Sequence, residues 1–306
     1  MKSKKIYSSL ILLLAAMIWG FAFAAQDDAS DIPAFTLGAL RGILAGFFLI
    51  IVIVIVDRVS HTGRRLFTKR GLDITKTELV GGAIAGAVLT AASAMQQIGI
   101  NEGTDGGKAG FITALYVILV PVFALVLKKR SPINVWVGVV ISIVGFYLLC
   151  IKDGFTVAAS DLFVLGGAIL FTFHILTIDK FAPRCDGIRM SCVQFFTYAL
   201  INCILAILFD PQTSIELIGQ HAFSVIFLGI GSSVIGYTLQ IVGQKGAHPT
   251  VATIILSLES VFGVIGTALF LSQTLTLREY LGCAIIFVAV ILAQLDLGTL
   301  FKKKNK

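Results

Sequence analysis

At 306 residues, 57% hydrophobic and only 13% charged, with a mean hydropathy of +0.95, this chain holds more apolar sequence than a soluble domain of its size can bury. Apolar windows of about 20 residues recur from end to end, the length a bilayer-crossing helix needs. A membrane barrel would instead show alternating segments of about 10 residues, and the net charge of +7 is explained by its position along the chain rather than by nucleic-acid binding.

The hydropathy pattern predicts an all-α membrane protein of ten transmembrane helices at 6–25, 34–56, 79–100, 108–127, 133–151, 161–180, 188–209, 221–243, 250–272 and 279–297. Pro33, Pro132, Pro183, Pro211 and Pro249 fall in the turns, where proline ends helices. Pro121 alone lies inside a span, a position membrane helices tolerate. With the N-terminus inside, 20 of the 24 Lys and Arg residues fall on the cytoplasmic side, 3 fall outside, and Arg41 lies within a span. That asymmetry follows the positive-inside rule and puts both termini in the cytoplasm. The basic segment from Arg58 to Lys76 reads as a solvated loop touching anionic headgroups. The lysine-rich start, its apolar run and Ala22-Phe23-Ala24 have the outline of a cleaved leader. Retention is the reading taken, because cleavage would leave nine spans.

Polar residues recur inside the spans at helical spacing. Trp19 precedes Gly20 late in the first span. Arg41 sits in GALRGILAG, where Gly38, Gly42 and Gly46 form a close-packing stripe. The third span carries Thr90, Ser93, Gln96 and Gln97, and the sixth carries His174 and Thr177. Gln194, Tyr198 and Asn202 share one face of the seventh span, and Ser233, Tyr237 and Gln240 recur in the eighth. Amides facing hydrocarbon lack partners, so these faces are expected to wall a cavity, with interhelical hydrogen bonding as the blander alternative. Glu259 lies near the middle of the ninth span. A carboxylate there is costly, so the default expectation is functional: it binds a substrate amine or carries a coupled proton. The structural alternative has it paired with Arg41 or capped by Ser257 or Ser260. Arg41 in turn would attract a substrate carboxylate, pair with Glu259, or snorkel outward.

The chain also repeats itself. A shift of 144 residues sets Ser93 on Tyr237, Gln96 on Gln240, Gly99 on Gly243 and Gly138 on Gly282. Nearer the start a shift of about 152 sets Trp19 on Phe171, and past the fourth-span turn Pro121 falls near Ser260. Five spans is an odd number, so residues 1–151 and 152–306 would enter the membrane from opposite sides. Such inverted five-helix repeats around a central cavity suit alternating access.

Trp19-Gly20, Arg41, Pro121 and Leu258-Glu259-Ser260-Val261 together resemble an EamA-type transporter of the drug/metabolite transporter superfamily over essentially the whole chain. The resemblance implies a ten-helix basket around a cavity, exporting amino acids, other metabolites or drugs. Two departures stand out. Phe171 occupies the place of the family's second tryptophan, and Ser260 replaces the proline after Glu259, which is expected to remove a helix kink.

The residues therefore predict a secondary transporter in the cytoplasmic membrane for an amphipathic small molecule such as an amino acid. A polyphosphate would need several intramembrane cations, and only Arg41 is present. The substrate candidates are Trp19, Arg41, Gln96, Gln97, His174, Gln194, Tyr198, Asn202, Tyr237, Gln240 and Glu259. No cofactor, metal or nucleic acid is expected; the partners are the small-molecule substrate, a proton where transport is coupled, and the lipid bilayer, and the chain is expected to act as a monomer. The five cysteines form no CxxC pair and the four histidines show no ligand spacing. A membrane-embedded enzyme is disfavoured, since no nucleophile accompanies Glu259 and His174. A channel or proton-independent facilitator is the remaining rival, although no filter segment is visible. ATP-driven transport lacks its GxxxxGK[ST] loop.

Overall fold

The computed structural model describes residues 2–59, 72–129, 131–150, 158–210, 213–270 and 276–294. Most of the basic loop from Arg58 to Lys76, together with Arg130, Lys152, Pro211 and the four terminal lysines, lies outside the described residues. Every regular element among the described residues is helical. In order they are α1 (Lys2–Asp28), α2 (Ala34–Val59), α3 (Lys76–Asn101), α4 (Gly106–Ala114), α5 (Tyr116–Val126), α6 (Ile133–Cys150) and α7 (Ala159–Phe181). After a 3₁₀ turn at Ala182–Arg184 come α8 (Gly187–Phe209), α9 (Ile215–Gln220), α10 (Ala222–Ile226), a π-helical stretch at Phe227–Gly236, α11 (Tyr237–Gln244), α12 (Pro249–Leu256), α13 (Glu259–Phe270) and α14 (Leu277–Gln294).

Counting consecutive helices together, 8 among the described residues are long and apolar enough to cross a membrane, and Ile133–Leu149 is a shorter apolar helix. The side chains are distributed inside out. Phe47, Val126 and Ile207 point away from the bundle, Ile207 at 83% exposure, whereas Gln194, Ser233, Gln240 and Arg189 are buried. A water-soluble protein does not present so continuous an apolar exterior, and a bilayer makes it favourable.

Small residues set the helix spacing. Gly38, Gly42 and Gly46 of α2 lie against Asn202, Ala199 and Phe196 of α8. A Cβ at Gly42 would come within 2.7 Å of the Ala199 backbone. On the other side of α8, Gly82 and Gly86 of α3 lie against Val193 and Gln194. Two glycine stripes thus clamp α8 at backbone contact, where dispersion and interhelical hydrogen bonds act without hydrophobic help from lipid.

Caps fix the same unit at one end. Glu78 Oε2 accepts the Thr75 amide at 2.8 Å, and Thr75 Oγ1 accepts the Glu78 amide, so the start of α3 is a capping box. Glu78 Oε1 also accepts the Asp186 amide at 2.7 Å. Asp186 caps α8 through the amides of Ile188 and Arg189. Arg189, 1% exposed, bridges Asp57 of α2 at 2.7 Å and Asp186 at 3.3 Å. At the start of α12, His248 Nδ1 accepts the Thr250 amide and Pro249 takes the first helical position.

Two expected spans are broken rather than continuous. The fourth is divided at Leu115 into α4 and α5, and the ninth at Ser257–Leu258 into α12 and α13. The second break corrects the expectation that losing the proline at Ser260 straightens the helix. Thr253 Oγ1 donates to the Thr250 carbonyl and Ser257 Oγ to the Ile254 carbonyl. These hydroxyls divert carbonyls from the regular ladder at the end of α12.

Gly42→Ala is expected to destabilise the protein by about 1–3 kcal/mol through overpacking, read as a lower thermal midpoint in detergent. Gly219→Ala, where the new Cβ meets nothing within 4 Å, leaves the midpoint unchanged or slightly raised. Burial lowers the His248 imidazole below its ordinary value of 6.5, so the neutral capping form contributes stability above pH 6.5 that is lost as pH falls through the lowered value. His248→Asn, a cap that does not titrate, should flatten this part of a stability profile between pH 7 and pH 4.

Candidate functional site

The breaks in the fourth and ninth spans meet beside a cavity within the bundle, which Thr113, Tyr116, Leu256 and Glu259 line from either side of the two breaks. Its walls come from α1, α2, α3, the α4/α5 junction, α7, the π-helical stretch with α11, and the α12/α13 junction. Tyr116, first residue of α5, donates from its hydroxyl to Glu259 Oε1, first residue of α13, at 2.9 Å. Glu259 is 4% exposed and Tyr116 also 4%. No ion pair joins Glu259 to Arg41 among the described residues. The neighbouring serines do not cap the carboxylate either: Ser257 turns back on its own helix, and Ser260 Oγ donates to the Gly110 carbonyl at 3.2 Å. Gly20 lets α1 approach the carbonyl of Glu259, where a Cβ would lie 2.7 Å away.

The upper wall of the cavity, toward the Asp28 end of α1, is an amide network. Gln26 Nε2 donates to Gln96 Oε1 at 3.0 Å and to Gln97 Oε1 at 3.2 Å. Gln96 Nε2 donates on to Thr113 Oγ1 at 2.8 Å, which ties α3 to the end of α4. Gln97 returns a hydrogen bond to the Gln26 carbonyl and one to Asn101. Arg41 is 6% exposed and borders the cavity, with Nε unpartnered among the described residues. Its burial against the cavity replaces the snorkelling alternative.

The opposite wall is aromatic. Trp19 and Tyr237 stack at a centroid separation of 4.7 Å, and Trp19 Nε1 donates to the Ser232 carbonyl of the π-helical stretch at 3.4 Å. Gly236 makes room for the indole. His174 meets the Tyr237 ring edge to face at 5.7 Å and shares a hydrogen bond of 3.1 Å with Gln194. Phe171 and Phe23 also line the cavity, the Phe23 ring lying against Gly110 of α4.

Of the residues expected to meet substrate, Trp19, Arg41, Gln96, His174, Tyr237, Gln240 and Glu259 border the cavity. Gln97 stands one step behind, bonded to Gln26. Gln194, Tyr198 and Asn202, expected to wall a cavity from the seventh span, are not in the lining of this one. Their face of α8 is clamped between the glycine stripes. There Gln194 holds His174, Tyr198 takes the Ser93 hydroxyl at 3.0 Å, and Asn202 Nδ2 donates to the Tyr198 carbonyl at 2.9 Å. Four polar residues of the cavity lining were not foreseen: Gln26, Thr113, Tyr116 and Ser232. Gln26 falls one residue beyond the expected first span. Tyr116 was legible only through its offset of 143 residues from Glu259.

That offset recurs. Thr113 and Leu256 are the cavity-facing residues before the two breaks, also 143 apart, and α4 and α12 begin 143 apart at Gly106 and Pro249. Ser93 with Tyr237 and Gln96 with Gln240 are separated by 144; Trp19 with Phe171, Ala22 with His174 and Phe23 with Ile175 are separated by 152. The break positions set Tyr116, rather than Pro121, in register with the Glu259 region. Among the described residues no three His, Cys, Asp or Glu side chains gather as a metal site. About 40 Å³ of the cavity is open to water-sized molecules, room for roughly three waters.

An apolar exterior on membrane-length helices around a cavity lined by both polar and apolar side chains is the build of a multi-pass membrane protein. The chain belongs to the EamA-like transporter family, whose pattern matches residues 6–151 and 158–295. It is similar to an uncharacterized transporter of Archaeoglobus fulgidus, 26% identical over 294 residues that span 95% of this chain and 87% of that protein. Its fold matches a solved crystal structure at a TM-score of 0.76 and 18% identity, covering 94% of this chain and 96% of the other. Family membership makes the chain a membrane transporter of small solutes.

Tyr116→Phe removes the only hydrogen bond to Glu259 among the described residues and should destabilise the protein by about 1.5–3 kcal/mol. Glu259→Gln keeps an acceptor for Tyr116 and should cost less, measured by thermal unfolding of both variants in the same detergent.

Proposed function

We propose that the protein is a secondary active transporter that moves an amphipathic organic solute such as an amino acid across the cytoplasmic membrane by alternating access, in the direction of export. In this reading ten helices form two inverted five-helix halves, residues 1–151 and 152–306. Both termini are cytoplasmic and the protein works as a monomer. The observation that carries the proposal is the pairing of cavity residues at near-constant offsets. Each half supplies a broken helix whose second segment begins at the cavity, and those first residues, Tyr116 and Glu259, bond to each other. A duplicated wall of this kind has two equivalent packings, which a carrier needs and a single-gated pore does not. Non-helical backbone at membrane depth is tolerated where it lines a cavity. The separate family matches to 6–151 and 158–295 support the same division.

Glu259 carries the chemistry in this proposal. Its carboxylate binds the substrate amine or the coupled proton, and either event competes with the Tyr116 hydroxyl for the same oxygens. Arg41, the intramembrane cation beside the cavity, receives a substrate carboxylate. A facilitator would use the same residues without the proton. The narrowness of the closed cavity favours a carrier over an open channel.

Counterflow uptake into liposomes by the purified protein, against amino acids, nucleobases and cationic drugs, tests the proposal. Uptake of one class is expected. Glu259→Gln should lower it at least about tenfold, the scale of one lost charged hydrogen bond, and should flatten its dependence on pH. Unchanged uptake with an unchanged pH profile would remove Glu259 from both roles, and no uptake of any solute by folded protein would contradict carrier function for these classes.

A further inference from the structure

The pair His174–Gln194 joins a cavity residue to one that the cavity does not touch. His174 is 1% exposed and Gln194 is 0% exposed, so their partners come from the protein or from the cavity. Gln194 Oε1 faces His174 Nε2 at 3.1 Å. A carbonyl oxygen only accepts, so Nε2 carries the hydrogen and donates it. In the neutral ring Nδ1 is then a bare lone pair, and it has no partner among the described residues. A buried acceptor without a protein partner is rare enough to call for a reason. His174 and Gln240 both line the cavity, and Gln240 Oε1 is likewise buried with no partner among the described residues. Gly86 brings α3 onto the Gln194 backbone carbonyl, which fixes the α8 backbone there, and the Gln194 oxygen facing Nε2 favours the tautomer with hydrogen on that nitrogen.

We propose that His174 is a specificity-determining residue whose Nδ1, freed as an acceptor by Gln194, takes a hydrogen from an N–H or O–H donor on the transported solute. Gln194 is a positioning residue that acts through His174, and Gln240 Oε1 supplies a second acceptor of the same kind. The inference rests on the transport reading of this cavity and narrows it. The preferred solutes carry donor hydrogens on the group that enters between α7 and α11, and fully alkylated analogues of equal charge are excluded. The polar and apolar surroundings of His174 support a neutral ring as that acceptor, since Tyr237 presents an aromatic edge-to-face contact and Gln194 its amide oxygen.

The test uses the full chain in nanodiscs with ¹⁵N-labelled histidine, His174→Gln identifying the His174 signals among the four histidines. The probes are leucine and N,N,N-trimethyl-leucine, matched in charge and differing in N–H donors. The expected result is a single tautomer with hydrogen on Nε2, kept in Gln194→Glu and mixed in Gln194→Leu. Leucine should shift the Nδ1 signal and the trimethyl derivative should not. His174→Gln keeps the donor to Gln194 but loses the Nδ1 acceptor, and should weaken leucine binding about tenfold. His174→Asn places an oxygen near the Nδ1 position and should recover most of that loss. Hydrogen on Nδ1, equal binding of both probes, or no response to either would overturn the proposal. Counterflow without any change at Nδ1 sinks the acceptor alone. A shifted Nδ1 with no counterflow of any solute sinks the transport reading and leaves the acceptor standing.

Discussion

A carboxylate surrounded by helices and lipid must be satisfied by the protein or change its protonation. Glu259 meets that constraint with one phenol, Tyr116, contributed by the other broken helix. Much of the surrounding structure follows from bringing those two residues together. Both helices must break, or side chains at their first turns would not converge. The freed backbone must face a chamber rather than lipid. Gly20 and Gly236 must be small, because α1 passes directly over the Glu259 carbonyl and its indole packs on Gly236. The amide network of Gln26, Gln96 and Gln97 then fastens α3 and α4 to α1 on one side of the pair.

Behind this chamber lies a more rigid unit. Two glycine stripes bring α2 and α3 onto α8, and buried charges at Asp57, Glu78, Asp186 and Arg189 lock their ends. Breaking a buried ion pair by deleting one partner costs more than the pair itself contributes, so this end resists separation. The aromatic and broken-helix walls have fewer such locks. The cavity has room for roughly three waters, and beside it, at Leu115 and Ser257–Leu258, the backbone departs from regular helix.

The amino-acid pattern made the helices legible because lipid imposes one rule on every span: apolar outside and no unpaired backbone. Glu259 was legible for the same reason, being a charge that the rule forbids without cause. Tyr116 was not, since a tyrosine within AGFITALYVIL is unremarkable until its counterpart across the repeat is known. Gln26 was lost because it follows the point where hydropathy falls, though the helix continues to Asp28. The stripe of Gln194, Tyr198 and Asn202 showed a shared face, but periodicity does not say whether that face meets a cavity or another helix. Gly42 and Gly86 decide it by admitting α2 and α3. At Ser260 the absent proline suggested a straight helix, whereas hydroxyls at Thr253 and Ser257 perform the interruption by another route.

The central claim is that the chamber between Tyr116 and Glu259 opens alternately to the two sides of the membrane. Single cysteines at Ala22 and Ile175, which border that chamber from α1 and α7, can be probed with a membrane-impermeant thiol reagent in a chain whose five native cysteines are replaced. Alternating access predicts labelling of each position from either side, with transported solute shifting the balance from one side to the other. Labelling confined to one side under every solute condition would contradict it.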